Sequence, residues 1–161
     1  MKEIKLTQGQ VALVDDDDYE RVAAHPWWPA SRSMPYPMTE MKVGGKTRTV
    51  RLSRFIMRAQ VEMVVDHINH DPLDNRKVNL RICTNSENMR NRIKHQRATS
   101  KYKGVYMHTQ AQVWVAQIQC DSRRHYLGLY DDEVDAALAY DRKARELHGD
   151  FALLNFPEAV H

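Results

Sequence analysis

Sixteen residues, VDHINHDPLDNRKVNL at 65–80, hold two histidines, three aspartates and three asparagines, directly after the apolar run VEMVV. Asp66 offers a hard carboxylate oxygen suited to a magnesium-type cation, and His67 beside it a neutral imidazole able to take a proton from water near pH 7. Asn79 heads the next strand-like run and can tie the intervening loop through its amide. Asn88, nine residues on, places an amide oxygen in the first turn of a helix as a second ligand. One aspartate and one asparagine leave most of a coordination shell open, as hydrolysis of a phosphate ester requires. His70, Asp71, Asp74 and Asn75 read instead as turn formers that hydrogen-bond their own backbone.

These side chains need an order of strand, polar loop, strand and helix to meet. VEMVV and NLRICT read as the strands, and TNSENMRNRIKHQ as the helix, capped by Asn85 or Ser86. Upstream, IKLTQGQVALVD reads as a strand pair around Gly9, and DDDDYERVAAH as a short helix whose acidic first turn complements the helix dipole. The aspartate tract lacks the spaced ligands and glycine of a calcium loop and reads as a solvated helix start. Trp27 and Trp28 are expected in the core. MTEMKVGGKTRTVRLSRFIM reads as one hairpin turning at Gly44-Gly45 and studded with Lys46, Arg48, Arg51 and Arg54, a basic surface suited to DNA. After residue 100 the rhythm changes. YKGVYMH, VWVAQIQ and RRHYLGLY form a three-stranded meander, followed by DEVDAALAYDRKARELHGD, whose apolar spacing of three to four predicts an amphipathic helix stopped by Gly149.

A chain of 161 residues holds one domain with a sizeable core or two small ones. With 42% hydrophobic and 28% charged residues it has globular composition, with no run able to span a bilayer and no secretory signal; a cytoplasmic protein of a bacterial host or phage-infected cell is expected. Cys83 and Cys120 stand far apart, without C-x-x-C spacing, and are expected to be reduced. The net charge of +3 hides a local excess: Arg90, Arg92, Lys94, Arg97, Lys101 and Lys103 follow one another with no acid between, a density suited to a phosphate backbone or, more simply, to a solvated helix end and linker.

The segment D-H-I-N-H-D-P-L-D-N-R…N-L-R…T-N-S-E-N-M-R-N resembles the HNH (ββα-metal) nuclease motif, particularly its homing-endonuclease branch from phages and introns. The resemblance implies that His67 is the general base, that Asp66 and Asn88 bind the catalytic cation (Mg²⁺ or Mn²⁺, one per site), and that Asn79 is the structural asparagine. Asparagine replaces histidine at the third letter, and Ser53-Arg54 stands where relatives often have His-Arg.

Residues 100–158 resemble the Apetala-two/ethylene-response-factor domain, through Gly104, Trp114, Ala116, Leu127, Gly128, Ala137, Tyr140, Asp141, Gly149, Asn155 and Phe156. In that family the exposed face of the sheet reads the major groove. The corresponding face here would show Tyr106, His108, Gln117, Gln119, Arg124 and Tyr126, with Trp114 either joining it or buried. Tyr106, His108 and Gln119 occupy places where relatives commonly have arginine, so the plant target sequence does not carry over.

The combined expectation is an α+β chain: an HNH nuclease domain over 1–95 with its ββα-metal core at about 61–95, a basic linker at 96–101, and over 102–161 a three-stranded antiparallel sheet with one packed helix. Its function would be metal-dependent cleavage of double-stranded DNA, by a monomer that nicks. The rival is a non-enzymatic DNA-binding regulator that keeps a degenerate nuclease fold.

Overall fold

The computed structural model describes residues 1–91, 99–121 and 123–157, and shows a mixed α/β chain of small antiparallel sheets and few helices. It divides into two compact units, Met1–Asn85 and Ser86–His161.

In the first unit, β1 (Lys2–Lys5) and β2 (Val11–Val14) pair antiparallel on either side of the turn containing Gly9, as the sequence predicts. Alternation buries Ile4, Ala12 and Val14 in a core completed by Val22, Trp27, Leu52, Ile56 and Leu80. Trp27 fills it and donates its indole N–H to the Val22 carbonyl at 2.8 Å, while Trp28 is half-buried. Helix α1 (Asp16–Ala23) begins inside the aspartate tract. That tract is not a uniformly solvated start: Asp16 and Asp17 are exposed, but Asp18 is buried and pairs with Arg21 at 2.6 Å and Lys77 at 2.7 Å. Burial alone would push the Asp18 carboxyl up, and the Lys77 and Arg21 partners outweigh it, holding the group below the usual aspartate value.

Three strands follow, β3 (Trp28–Pro29), β4 (Pro37–Val43) and β5 (Lys46–Arg51), with β4 in the middle. Gly44 and Gly45 have φ of +59° and +76°, the turn whose twist matches its strands and which only glycine enters without strain. The hairpin stops sooner than the sequence suggests. Leu52–Met57 forms helix α2, because Leu52, Ser53 and Ile56 recur at a spacing that buries one helical face. Arg54 therefore lies on α2 and not on the basic hairpin. Its guanidinium donates to the carbonyls of Met63, Ala59 and Gln60, fastening the loop that leads into the next strand.

That strand, β6 (Val64–His67), starts three residues later than the apolar run implies, since 60–63 is a turn closed by Met63 N–H to Gln60 C=O at 3.1 Å. It pairs antiparallel with β7 (Leu80–Cys83), setting Asp66 opposite Arg81 and His67 opposite Leu80.

The second unit opens with α3 (Asn85–Arg90), most of whose residues it includes. Strands β8 (Val105–His108), β9 (Val113–Cys120) and β10 (Arg123–Tyr130) form the expected meander with β9 central. Helix α4 (Glu133–His148) covers one side, its start capped by the Asp132 carboxylate accepting from Val134 N–H at 2.7 Å and Asp135 N–H at 3.2 Å. Val105, Ala116 and Ile118 from the sheet meet Ala136, Ala137, Tyr140 and Ala144 from α4. Buried Asp141 accepts from the backbone N–H groups of Asn155 and Phe156, both at 2.8 Å, which draws the tail back over the helix. Cys83 is buried, Cys120 is half-buried, and neither forms a disulfide.

Candidate active site

His67 ends β6 with its side chain 6% exposed, facing the loop that joins β6 to β7. Its Nε2 lies 3.2 Å from Asn75 Oδ1. The orientation of that amide follows from its other contact: Asn75 Nδ2 donates at 2.9 Å to the Pro72 carbonyl, which can only accept, so the oxygen must face the ring. The Nε2 atom then carries the proton, and Nδ1 carries the lone pair. Burial pulls the imidazole pKa below 6.5, and the Asn75 hydrogen bond and the charges of Asp66, Asp71 and Asp74 only partly oppose it. The ring is therefore neutral at pH 7.

Asp66, also buried, receives Arg81 Nε at 2.9 Å and Nη2 at 2.7 Å on Oδ2, an ion pair set by the cross-strand register. Among the described residues, no group of three or more His, Cys, Asp or Glu side chains could enclose a metal ion. Asn88, half-buried on α3, belongs to the second unit; Asp66, His67 and Asn79 belong to the first.

The loop between the strands is built from side-chain amides and carboxylates. Asn79 Oδ1 accepts from Asn69 N–H at 2.9 Å and its Nδ2 donates to the Asp74 carbonyl at 2.8 Å, the stitching its position predicts. Asp71 accepts from Leu73 N–H at 2.9 Å, and Asp74 takes a two-pronged hydrogen bond from Arg76, which holds the Asp74 carboxyl below its ordinary value. Asp71 and Asp74 are thus the turn formers expected. Asn79→Ala removes both stitches from a buried position and should cost about 1–3 kcal/mol, read as a lower urea midpoint with unchanged slope.

Arg81 and Tyr36 surround these residues without having stood out in the sequence, and Asn75 and Arg51 join them although the sequence marked them only as a turn former and as part of the basic hairpin. Asn75 was read only as a turn former, yet it is fully buried against His67. The Tyr36 ring lies 5.9 Å from the His67 ring, and the Arg51 guanidinium sits 4.7 Å over Tyr36. Arg81 was legible in principle, because pairing of two adjacent strands places it opposite Asp66. Asn75 was not, since an eight-residue spacing across an irregular loop has no period.

In the second unit the register sorts the expected DNA-facing residues. Tyr106 stands opposite Val115, Tyr126 opposite Gln117 and Arg124 opposite Gln119, with His108 at the end of β8, so these six project from the side away from α4. Trp114 does not join them. It packs with Val105 and Ala116 on the helix side. Lys101 is exposed, its ammonium 5.0 Å over the Tyr102 ring, whereas Lys103 is largely buried, donates to the Arg90 carbonyl at 2.5 Å, and has its pKa lowered to about 8 by burial. Arg90 pairs with Asp121 at 3.0 Å. Arg92, Lys94 and Arg97 lie outside the described residues.

Comparison with known proteins agrees with both halves of this picture. A family model described as HNH endonuclease matches residues 60–90, the span from the loop before β6 to the end of α3. An uncharacterized HNH endonuclease of Acanthamoeba polyphaga mimivirus is 28% identical over 156 residues, covering 92% of this chain and 76% of that protein. Protein 3.8 of Escherichia phage T7 is 32% identical over 88 residues, 55% of this chain and 72% of its own length. Dehydration-responsive element-binding protein 2D of Arabidopsis thaliana is 46% identical over 65 residues, 39% of this chain, and APETALA2-like protein 2 of rice is 43% identical over 67 residues. The chain spans less than a third of the length of these plant proteins. The chain thus combines a segment similar to HNH endonucleases with a segment similar to APETALA2-like proteins.

Proposed function

We propose that the chain is a divalent-cation-dependent DNA endonuclease of the homing type, which nicks one strand and is held at its target by the sheet face of the second unit. The observation that carries this reading is the neutral, tautomer-fixed imidazole of His67 beside the Asp66 carboxylate. His67 Nδ1 takes a proton from water, the water oxygen attacks phosphorus, and the bond to the 3′ oxygen breaks. By favouring the proton on Nε2 of the neutral ring, Asn75 leaves the lone pair on Nδ1 ready for that transfer.

Asp66 and Asn88 would hold the cation, Mg²⁺ or Mn²⁺. Both donors are oxygens, the type these hard ions take, and two protein oxygens leave the rest of an octahedral shell to water and phosphate. Arg81 donates to Oδ2, and a carboxylate offers about four acceptor sites over its two oxygens. When bound, the cation supplies charge stabilisation at the phosphate and the leaving oxygen. Asp66→Asn keeps an acceptor for Arg81 but loses the charge. Its cleavage should be slow at the cation concentration that saturates the wild type and should recover in part as cation is raised; a rate indifferent to added cation would remove Asp66 from the ligand set.

Recognition is assigned to Gln117, Gln119 and Arg124, with side chains able to meet adenine, guanine or phosphate groups, flanked by Tyr106, His108 and Tyr126. One plant relative is named for binding a response element, which supports DNA as the partner of this face. The apolar side of α4 already covers its sheet, and among the described residues no other helix offers a stripe for a two-fold dimer, which supports a monomer. A time course on supercoiled plasmid with Mg²⁺ at limiting protein tests the whole reading. Open circles should accumulate before any linear product. Plasmid that is bound but never cut would favour the non-enzymatic regulator, and linear product without prior open circles would exclude a nicking monomer.

A further inference from the structure

One cavity in the second unit plays no part in the cleavage chemistry; it borders the proposed reading face, with which it shares Gln117, Gln119 and Arg124, and reaches past it to groups that reading leaves unassigned. It has a volume of about 400 Å³ and lies among α3, the residues before β8, the β9–β10 pair and the end of α4. Ile118 and Tyr140 are among its apolar lining. Arg90, Lys103, Arg124 and His148 supply its basic lining, and among the described residues no carboxylate lines it. His148 is 6% exposed, and among the described residues neither ring nitrogen has a partner within full hydrogen-bond geometry, the Gln119 backbone acting on it only outside that geometry. A buried polar group left in that state costs about 1–3 kcal/mol, which a ligand carrying donors and acceptors would offset.

The surroundings of His148 define the sign of that ligand. Burial lowers its pKa first and the Arg90 charge next, with Lys103 adding to them, while the Gln119 backbone and Asp121 oppose. The cavity thus holds a neutral imidazole beside three cationic side chains, one of them, Lys103, an ammonium that burial makes easier to deprotonate. Asp121 meets Arg90 from outside the lining and leaves the cavity's own surplus positive. An anion relieves this repulsion. A tetrahedral anion suits it best, because a forked guanidinium, an ammonium and an imidazole can each meet a different oxygen.

We propose that this cavity is a phosphate pocket, in which Arg90, Lys103, Arg124 and His148 together hold one phosphate group of a nucleotide or of a nucleic-acid backbone.

The test uses the full chain without divalent cation, so that its outcome is independent of cleavage. The imidazole signals of His148, assigned by their loss in His148→Gln, are followed by NMR as inorganic phosphate, then deoxyadenosine monophosphate, then a short DNA duplex is added. The His148 signals should move with inorganic phosphate. Arg124→Met, a change at an exposed residue that the fold tolerates, should weaken that response at least tenfold, and Arg142→Met on the exposed side of α4 should leave it unchanged. A duplex that moves the same signals and is displaced by phosphate identifies the source as the nucleic-acid backbone. A mononucleotide that binds without competition from duplex identifies it as a free nucleotide. Signals unmoved by all three probes, or moved equally in wild type and Arg124→Met, would overturn the proposal.

Discussion

His67→Ala is expected to bind DNA as the wild type does and to cleave it about 10²–10⁴-fold more slowly, the range that a positioned general base contributes. The same group sets the pH profile of the wild type. Only the neutral ring accepts a proton, so the rate rises as pH climbs through the His67 pKa and then levels. Since burial holds that pKa below 6.5, the plateau should begin on the acid side of neutrality. A rate still climbing at about pH 8 would assign the limb to another group and remove His67 from the role of base. Asn75→Ala tests the positioning residue separately. It abolishes the contact that fixes the proton on Nε2, so the rate should drop less than in His67→Ala, and the acid limb should move further down, because the Asn75 hydrogen bond raises the imidazole pKa. Unchanged rate and limb would leave Asn75 a purely structural loop residue.

Gly104→Ala is expected to produce the largest loss of stability. Gly104 has φ of +76°, and a Cβ there would collide with the Tyr140 ring and come within 2.6 Å of the Gln117 carbonyl oxygen. Tyr140 is itself buried in the helix–sheet core and cannot swing away. Overpacking costs about 1–3 kcal/mol and a left-handed non-glycine residue about 1–2 kcal/mol, together about 2–5 kcal/mol against a total stability of about 5–15 kcal/mol for an ordinary domain. Thermal unfolding followed by the near-ultraviolet signal of Trp114 and its neighbours should show the second unit melting well below its wild-type temperature, with DNA affinity falling alongside. An unaltered melt would mean that the backbone at Gly104 and the Tyr140 ring do not approach as closely as described.

How far the sequence could be read depended on whether the decisive interactions were local. The meander and α4 were legible because period-two alternation and three-to-four spacing report each element's own buried face, and Gly44-Gly45 because a two-residue turn has few solutions. Leu52–Met57 was absorbed into the preceding hairpin because RLSRFIM has the β-branched and aromatic character of a strand, and only the fit of Leu52 and Ile56 into the core makes it helical. Asp66, His67 and Asn79 stood out as candidates, since a carboxylate, an imidazole and an amide at strand ends have few bland uses together. Asn75 was missed for want of any local sign, Asp18 because its partner Lys77 is far away in the chain, and the side taken by Trp114 because the strand's phase is fixed only by pairing.

The loop that presents Asn75 to His67 is not held by its own neighbours alone. Leu13 on β2 donates its N–H to the Leu73 carbonyl at 2.8 Å and accepts from Asn75 N–H at 2.9 Å, while the Asp15 carboxylate accepts from Lys77 N–H at 2.7 Å. The stretch that matches the HNH family begins at residue 60, yet part of its backbone framework is supplied by residues 13 and 15. A recombination event that transplanted only the matching stretch would therefore deliver the catalytic letters without the splint that keeps them spelled. The unit that can be shuffled between genes should therefore reach back to β2, and exchanges with breakpoints between residues 15 and 60 should be purged even when every site residue survives.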